Sequence, residues 1–263
     1  MHSHRINHDA AQQKTPLSPD KQHKENFHCR CINEDPDNQQ RVLALRYLVY
    51  CQERNFLPAQ NYPDGKESDE FDQYSHHFAA FDPSEQIAGA VRLVRHSRAL
   101  ALPLQRYCTL FEDLPDHLQS IPLASTAEIS RLVVSKDYRR RKNNNAYGGL
   151  AIDPAASVSV IDLAEERHKR HDRKSHDPEI VLGLYRSMYQ KSKLEGITHW
   201  YAAMEKPLAR LLMRCGFEFH PVGPEVDYYG PVAPYIACIA DLEAWVASVD
   251  PERFRWFTTP DLE

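Results

Sequence analysis

The chain has 263 residues, a formal net charge of -5 and only nine glycines, about half the usual share of roughly 7 %. No two glycines stand in G-x-G spacing and no G-x-x-x-x-G-K-[ST] run occurs, which excludes a dinucleotide fingerprint and a P-loop. The acidic balance speaks against general nucleic-acid binding. No stretch approaches 18 consecutive apolar residues, and the N-terminus lacks the apolar run of a secretory signal, so no membrane span and a cytoplasmic location are expected. The six cysteines (29, 31, 51, 108, 215 and 238) then read as reduced thiols.

Residues 1–26 are rich in His, Gln, Lys and Asp and nearly free of large apolar side chains, which predicts a disordered, solvated tail. His28-Cys29-Arg30-Cys31 has the form of half a zinc site, but no second pair at ligand spacing follows it. Val42, Leu45, Leu48 and Val49 recur at helical spacing and predict a helix near 38–54, with Arg46 and Tyr50 on one face. The stretch 56–76 is polar and turn-rich and reads as loop.

His77–Asp82 and Ile87–Arg95, joined by Asp82-Pro83-Ser84-Glu85, form an expected hairpin. One or two short helices broken at Pro115 are expected over 103–122. Ala127–Ser135 is the strongest strand, and strict alternation puts Glu128, Ser130 and Leu132 on one face. Residues 136–178 read as a polar insert with two basic runs, Arg139–Lys142 and Arg167–Lys174. Beyond it the pattern predicts a helix over 179–194, a strand over 198–204, and a helix from Pro207 to Cys215. Strands at 217–219 and 235–240 follow, then a short helix and tail. This order predicts an α/β (α+β) mixed sheet flanked by helices.

Several charged residues fall on apolar elements: Arg46 in the first helix, Arg92 between Val91 and Leu93, and Glu128 and Arg131 on the best strand. Buried charges need partners, and a group of them suggests either ion pairs fixing the sheet or a charged cleft. The acidic loop Glu70–Tyr74 supplies Glu70 and Asp72 nearby in sequence.

The same residues carry a resemblance. Arg46-Tyr-Leu-Val-Tyr50, Glu53 and Phe56, Glu70-Phe-Asp72-Gln-Tyr74, Ala90-Val-Arg92-Leu and Glu128-Ile-Ser-Arg131 resemble, in order and spacing, the acyl-homoserine-lactone (autoinducer) synthases and the N-acyl amino acid synthases. The nearest resemblance is to the acyltransferases associated with PEP-CTERM/exosortase systems. The resemblance implies a GNAT-like acyl-CoA N-acyltransferase fold. It places Arg46, Asp72, Arg92, Glu128 and Arg131 around the acceptor and acyl-thioester cleft, with Tyr50 and Phe56 at aromatic positions.

Autoinducer synthases carry a further Asp three residues after the first loop Asp. Counted from Asp72 that place is Ser75, which argues against a cationic S-adenosylmethionine acceptor and for an amino acid or similar amine.

Attack of an amine on a thioester needs a base, for which Glu128 is the candidate, working through water. It needs oxyanion donors, expected from backbone N–H groups of Leu132, Val133 and Val134 after Arg131. An acceptor carboxylate suits Arg46, Arg92 or Arg131, beside Ser130. Trp200, Tyr201, Met204 and Phe217 are candidates for an acyl pocket and equally for ordinary core. The cysteines read as core fillers.

Arg139, Arg140, Arg141 and Lys142 follow the key strand and are placed to grip the donor's phosphate or an acidic carrier-protein surface. The fold's usual Q/R-x-x-G-x-G/A pyrophosphate turn cannot be drawn over 137–149, which favours acyl carrier protein over coenzyme A. Neither a metal nor a tightly bound cofactor is expected. The expected organisation is a tail (1–26), one domain (27–248) and a C-terminal tail (249–263). The readings that remain open are an N-acyltransferase acting on a small amine, an autoinducer synthase, and a non-catalytic acyl or carrier-protein binding module.

Overall fold

The computed structural model describes residues 27–97, 101–139, 177–228 and 230–260. Strand β1 (His28–Cys31) leads into helix α1 (Pro36–Tyr47). Asp35 caps α1 by accepting from the Asn38 N–H at 3.1 Å, and Pro36 occupies the first turn. The helix runs on as a π-helical turn, Leu48–Glu53, so the single helix expected over 38–54 ends in a wider turn. The His28–Cys31 segment is an edge strand, with the His28 ring stacked on Phe81 at 5.3 Å.

The expected hairpin forms as β2 (Ser75–Phe81) and β3 (Ile87–Arg95). Short helices α2 (Pro103–Tyr107) and α3 (Asp116–Gln119) flank the break at Pro115. Strand β4 (Thr126–Val134) follows. The basic insert, including Arg140, Arg141 and Lys142, lies almost wholly outside the described residues. Helix α4 (Asp177–Leu194), strand β5 (His199–Met204) and helix α5 (Lys206–Arg214) lie where the sequence puts them.

Residues 217–219 are not a strand. Phe217 and Phe219 are core side chains on irregular backbone, and pairing is limited to β6 (His220–Pro221). After β7 (Val226–Asp227) comes the long β8 (Pro231–Cys238). Helices α6 (Ile239–Val249) and α7 (Pro251–Thr258) close the chain. The C-terminal tail expected over 249–263 therefore holds a helix, capped by Asp250 and anchored by buried Phe257.

The sheet runs β1-β2-β3-β4-β5-β8-β6, with β7 paired to β8. All pairings are antiparallel except β4 with β5. Phe78, Ala80, Val91 and Leu93 face a large cluster under α4, whereas Ala79, Phe81 and Ala90 face the smaller cluster under α1. Burial on both faces explains the nearly continuous apolar run of β2 and β3.

Two irregularities position the site. First, β4 pairs with β5 only over 126–129, so beyond Ile129 the two strands part. Second, the β3–β4 register shifts between Ala90 and Arg92, and Arg131 has φ 55°. This is a β-bulge in which Arg131 and Leu132 together oppose Val91. It breaks the strict alternation: Arg131 joins Glu128 and Ser130 on the α1 side, while Leu132 packs against the α4 cluster.

Candidate active site

The charged residues on apolar elements meet in one buried network. Arg46 from α1 and Arg92 from β3 are each 1 % exposed. Arg46 donates to Glu67 at 2.5 Å and to Asp72 at 2.7 and 3.3 Å. Arg92 donates to Asp69, to Asp72 at 2.7 Å, and through Nε to the Ser130 hydroxyl at 3.0 Å. Arg131 donates to Glu67 at 3.1 Å and to Asp69 at 3.1 Å.

Three guanidiniums thus face three carboxylates. The arginines hold Glu67, Asp69 and Asp72 well below the usual carboxylate range despite burial, which acts to raise them. Residues 56–74 are loop apart from short 3-10 turns, while Ser75 and His76, expected as loop, already belong to β2, and the loop folds inward to deliver these acids.

The sequence reading names Asp72 but misses Glu67 and Asp69. Its other choice, Glu70, is exposed and pairs with Arg106. The signal was the charge count itself, since three arginines on apolar elements require three acids close by. Asp69 and Asp72 stand three residues apart in this loop, and both accept from Arg92.

A cavity of about 170 Å³ opens where β4 and β5 part. Tyr50, Phe56, Glu128, Ser130, Arg131, Leu132, Val133, Val134 and Arg139 all line it. Arg46, Asp72 and Arg92 do not: their polar groups are committed to one another behind the wall, which corrects their reading as direct substrate ligands. Of the acyl-pocket candidates only Met204 lines it. Trp200 and Phe217 are buried in the α4 core, and Tyr201 packs with Phe71, Val94 and Leu102 on the opposite face.

Arg54 and Glu205, not singled out by sequence, also line the cavity, and burial pushes the Arg54 pKa down and the Glu205 pKa up. Arg139 pairs with Glu53. The Tyr50 hydroxyl donates to the Leu132 carbonyl at 3.4 Å, and the Arg131 guanidinium lies over its ring at 5.5 Å. The π-helical turn thereby clamps the bulge.

Glu128 is 2 % exposed. One carboxyl oxygen accepts the Leu104 backbone N–H at 2.7 Å. Burial pushes its pKa up to about 8 against the pull of that hydrogen bond and of Arg92 and Arg131. Those arginines already have carboxylate partners, so little positive charge is left to stabilise a fourth anion.

Beyond Ile129, the edge of β4 facing β5 has no strand partner. Ser135 donates its N–H to Ala88 on β3 at 2.8 Å, so strand alternation turns the Val134 N–H the other way, into the gap. Burial pushes the Cys51, Cys108 and Cys215 thiols up, which suits packing and not nucleophilic attack.

Residues 45–147 match the family model described as an acetyltransferase (GNAT) domain. No curated protein matches the sequence. Among solved structures, the chain is similar to BjaI, a CoA-dependent acyl-homoserine lactone synthase with SAM and isopentyl-CoA. The identity is 17 % over 84 % of this chain and 88 % of that one, with a TM-score of 0.53. It is similar to the AHL synthase LasI at 12 % identity over 81 % of this chain and 89 % of that one, TM-score 0.50. FeeM, an N-acyl amino acid synthase, matches at 11 % identity over 83 % of this chain and 94 % of that one, TM-score 0.46. The likeness to BjaI and LasI establishes a shared fold. The parted β4 and β5 and the bulged β4 belong to a fold shared with these solved synthases, and residues 45–147 carry the match to an acetyltransferase (GNAT) domain.

Proposed function

We propose that the protein transfers a fatty acyl group from a thioester to the amine of an amino acid or a similar small acceptor. The observation that carries this reading is the buried Glu128 beside the unpaired edge of β4, both lining one cavity. The amine attacks the thioester carbonyl. The oxyanion is held by the backbone N–H of Val134, which strand alternation turns into the gap. Glu128 takes the amine proton through water, and the tetrahedral adduct collapses to an amide and expels a thiolate, to which that proton passes to give the thiol. Arg131, the one network arginine among the residues that line the cavity, orients an acceptor carboxylate. Arg46, Arg92 and Asp72 act as positioning residues that hold Arg131, Ser130 and the acidic loop.

Acyl carrier protein is the preferred donor, because no pyrophosphate turn can be drawn over 137–149. Arg54 and Arg139 at the cavity, with Arg140, Arg141 and Lys142 beyond the described residues, supply side-chain cations for a phosphodiester. Coenzyme A is the other donor, and it is the donor of BjaI.

A lactone-forming reaction with S-adenosylmethionine is the second reading. The Asp69–Asp72 pair favours it, because the sequence argument against a cationic acceptor loses its basis. Incubation with acyl-carrier protein or acyl-CoA, and with amino acids or S-adenosylmethionine, separates the two by mass spectrometry. An acyl-amide of an amino acid supports the first reading; release of methylthioadenosine moves the assignment to the second. For the transfer reaction, kcat/KM should rise with pH through an apparent pKa near 8. Glu128→Gln should remove that limb and lower kcat about 100-fold.

A further inference from the structure

The hydrogen bond on Glu128 comes from α2. The Leu104 N–H lies in the first turn of that helix, where no intrahelical partner exists, and it donates to the carboxyl at 2.7 Å. Helix α2 has five residues and is too short to persist alone, so its place depends on what its side chains touch. Leu102 and Leu104 are buried at its start. At its end the Tyr107 ring stacks on Tyr228, with centroids 4.3 Å and planes 15° apart. Arg106 pairs with Glu70 at the surface, an exposed contact that contributes little.

Tyr228 belongs to the turn between β7 and β8, which is braced on both sides. The Tyr228 N–H donates to the Gly230 carbonyl at 3.0 Å, and the Gly230 N–H donates to the Asp227 carboxylate at 3.2 Å. Gly230 has φ 110°, and a Cβ there would lie 3.8 Å from the Phe56 ring. Phe56, Pro103 and Tyr228 all line the cavity, so the turn reaches from Phe56 to α2 along its wall. The Cys108 N–H donates to the Leu104 carbonyl at 2.8 Å. One closed helical turn therefore joins the stacked ring to the residue whose N–H holds Glu128.

We infer that Tyr107 and Tyr228 are positioning residues: their stack ties the β7–β8 turn to α2 and keeps the Leu104 N–H on the Glu128 carboxyl. The kinetic part of the test rests on the acyl-transfer reading above. The charged and titratable groups around Glu128 are Arg92, Arg131, Asp69, Cys108 and its register partner Tyr201. Arg92, Arg131 and Asp69 are fixed in the ion-pair network, so loosening α2 acts chiefly on the Leu104 hydrogen bond, which favours the ionised carboxylate. Tyr107→Ala and Tyr228→Ala should each move the rising limb of kcat/KM up by about one pH unit. That lowers kcat/KM about tenfold at pH 7 and largely preserves the high-pH plateau. The double variant should move the limb no further than either single one, because each removes the same stack. Tyr107→Phe keeps the stacked faces and should keep the native limb. A merely structural role would lower the plateau and leave the limb in place. Either alanine variant that forms amide with the native limb overturns the inference. Absence of amide from every donor and amine overturns the acyl-transfer reading, and urea denaturation then decides the tether without turnover. The stability gained by Glu128→Gln should level off near pH 8 in the native background and about one unit higher in the Tyr228→Ala background. The same levelling-off in both backgrounds overturns the inference whatever the kinetics.

Discussion

Glu128, buried, and Asp72, part-buried, both lie near Arg92, yet they are pushed in opposite directions. Asp72 sits directly between Arg46 and Arg92 and is held low; Glu128 gains only distant attraction and is held up near 8. The consequence for stability is opposite in sign. An acid that is ionised in the unfolded chain above about pH 4.3 but neutral in the fold until about 8 makes the fold bind the extra proton. Stability therefore falls as pH rises between those values. Glu128→Gln keeps an acceptor for the Leu104 N–H and removes the ionisation. Its stability relative to the native protein should grow from near zero at pH 4.5 to on the order of 4 kcal/mol at pH 8, read by urea denaturation across pH. A constant difference over that range would show that the carboxyl ionises normally. Glu67, Asp69 and Asp72 act the other way: their contribution is present above the usual carboxylate pKa and is lost as pH falls below it. The need for such a network was legible in the sequence, from arginines on apolar elements. Which acids complete it was not, because Glu67, Asp69, Glu70 and Asp72 crowd one loop and only folding decides which of them turn inward.

Most elements could be read from periodicity because the strands and α4 carry strong apolar patterns. The failures occur where backbone irregularity replaces periodicity. Alternation along β4 fails at Arg131, since a bulge with a non-glycine residue at φ 55° leaves no mark in a hydrophobicity pattern. The π-helical turn after α1 is equally silent, and β1 is four residues with no apolar alternation. The rare glycines, by contrast, mark close approach. A Cβ on Gly89 in β3 would stand 2.8 Å from Ile180 Cγ2 on α4 and 2.9 Å from the Val133 carbonyl oxygen on β4. The glycine therefore lets α4 settle on the sheet beside the parted strands. Gly89→Ala should cost about 1–3 kcal/mol in urea denaturation. Adding Ile180→Val should recover only part of it, because the side chain can yield and the Val133 backbone oxygen cannot. Full recovery would locate the whole clash on α4.

At the scale of the molecule, the chain closes on itself through its last helix. Arg186 of α4 donates to the Trp256 and Thr259 carbonyls at 2.7 and 2.8 Å, and its guanidinium stacks on the Trp256 ring at 5.1 Å. Phe257 is 3 % exposed, with ring contacts to Tyr189 at 4.6 Å and Phe217 at 5.4 Å. Phe217 in turn touches Tyr185 at 4.8 Å, so α7 backs the same aromatic cluster whose other side meets the cavity. A short segment that opens on Pro and alternates charged and aromatic residues reads locally as tail; its place in the core depends on partners some 70 residues earlier, which no local pattern records. Ending the chain at residue 249 removes that cover. Loss of one buried phenylalanine alone costs about 3–5 kcal/mol, and for a domain of this size each kcal/mol lowers Tm by about 2–4 °C. The truncated chain should therefore melt about 10 °C or more below the full one, and Phe257→Ala should reproduce most of the drop. If Phe257→Ala melts with the native protein while the truncation does not, the Arg186 hydrogen bonds, and not the aromatic contact, hold α7 in place.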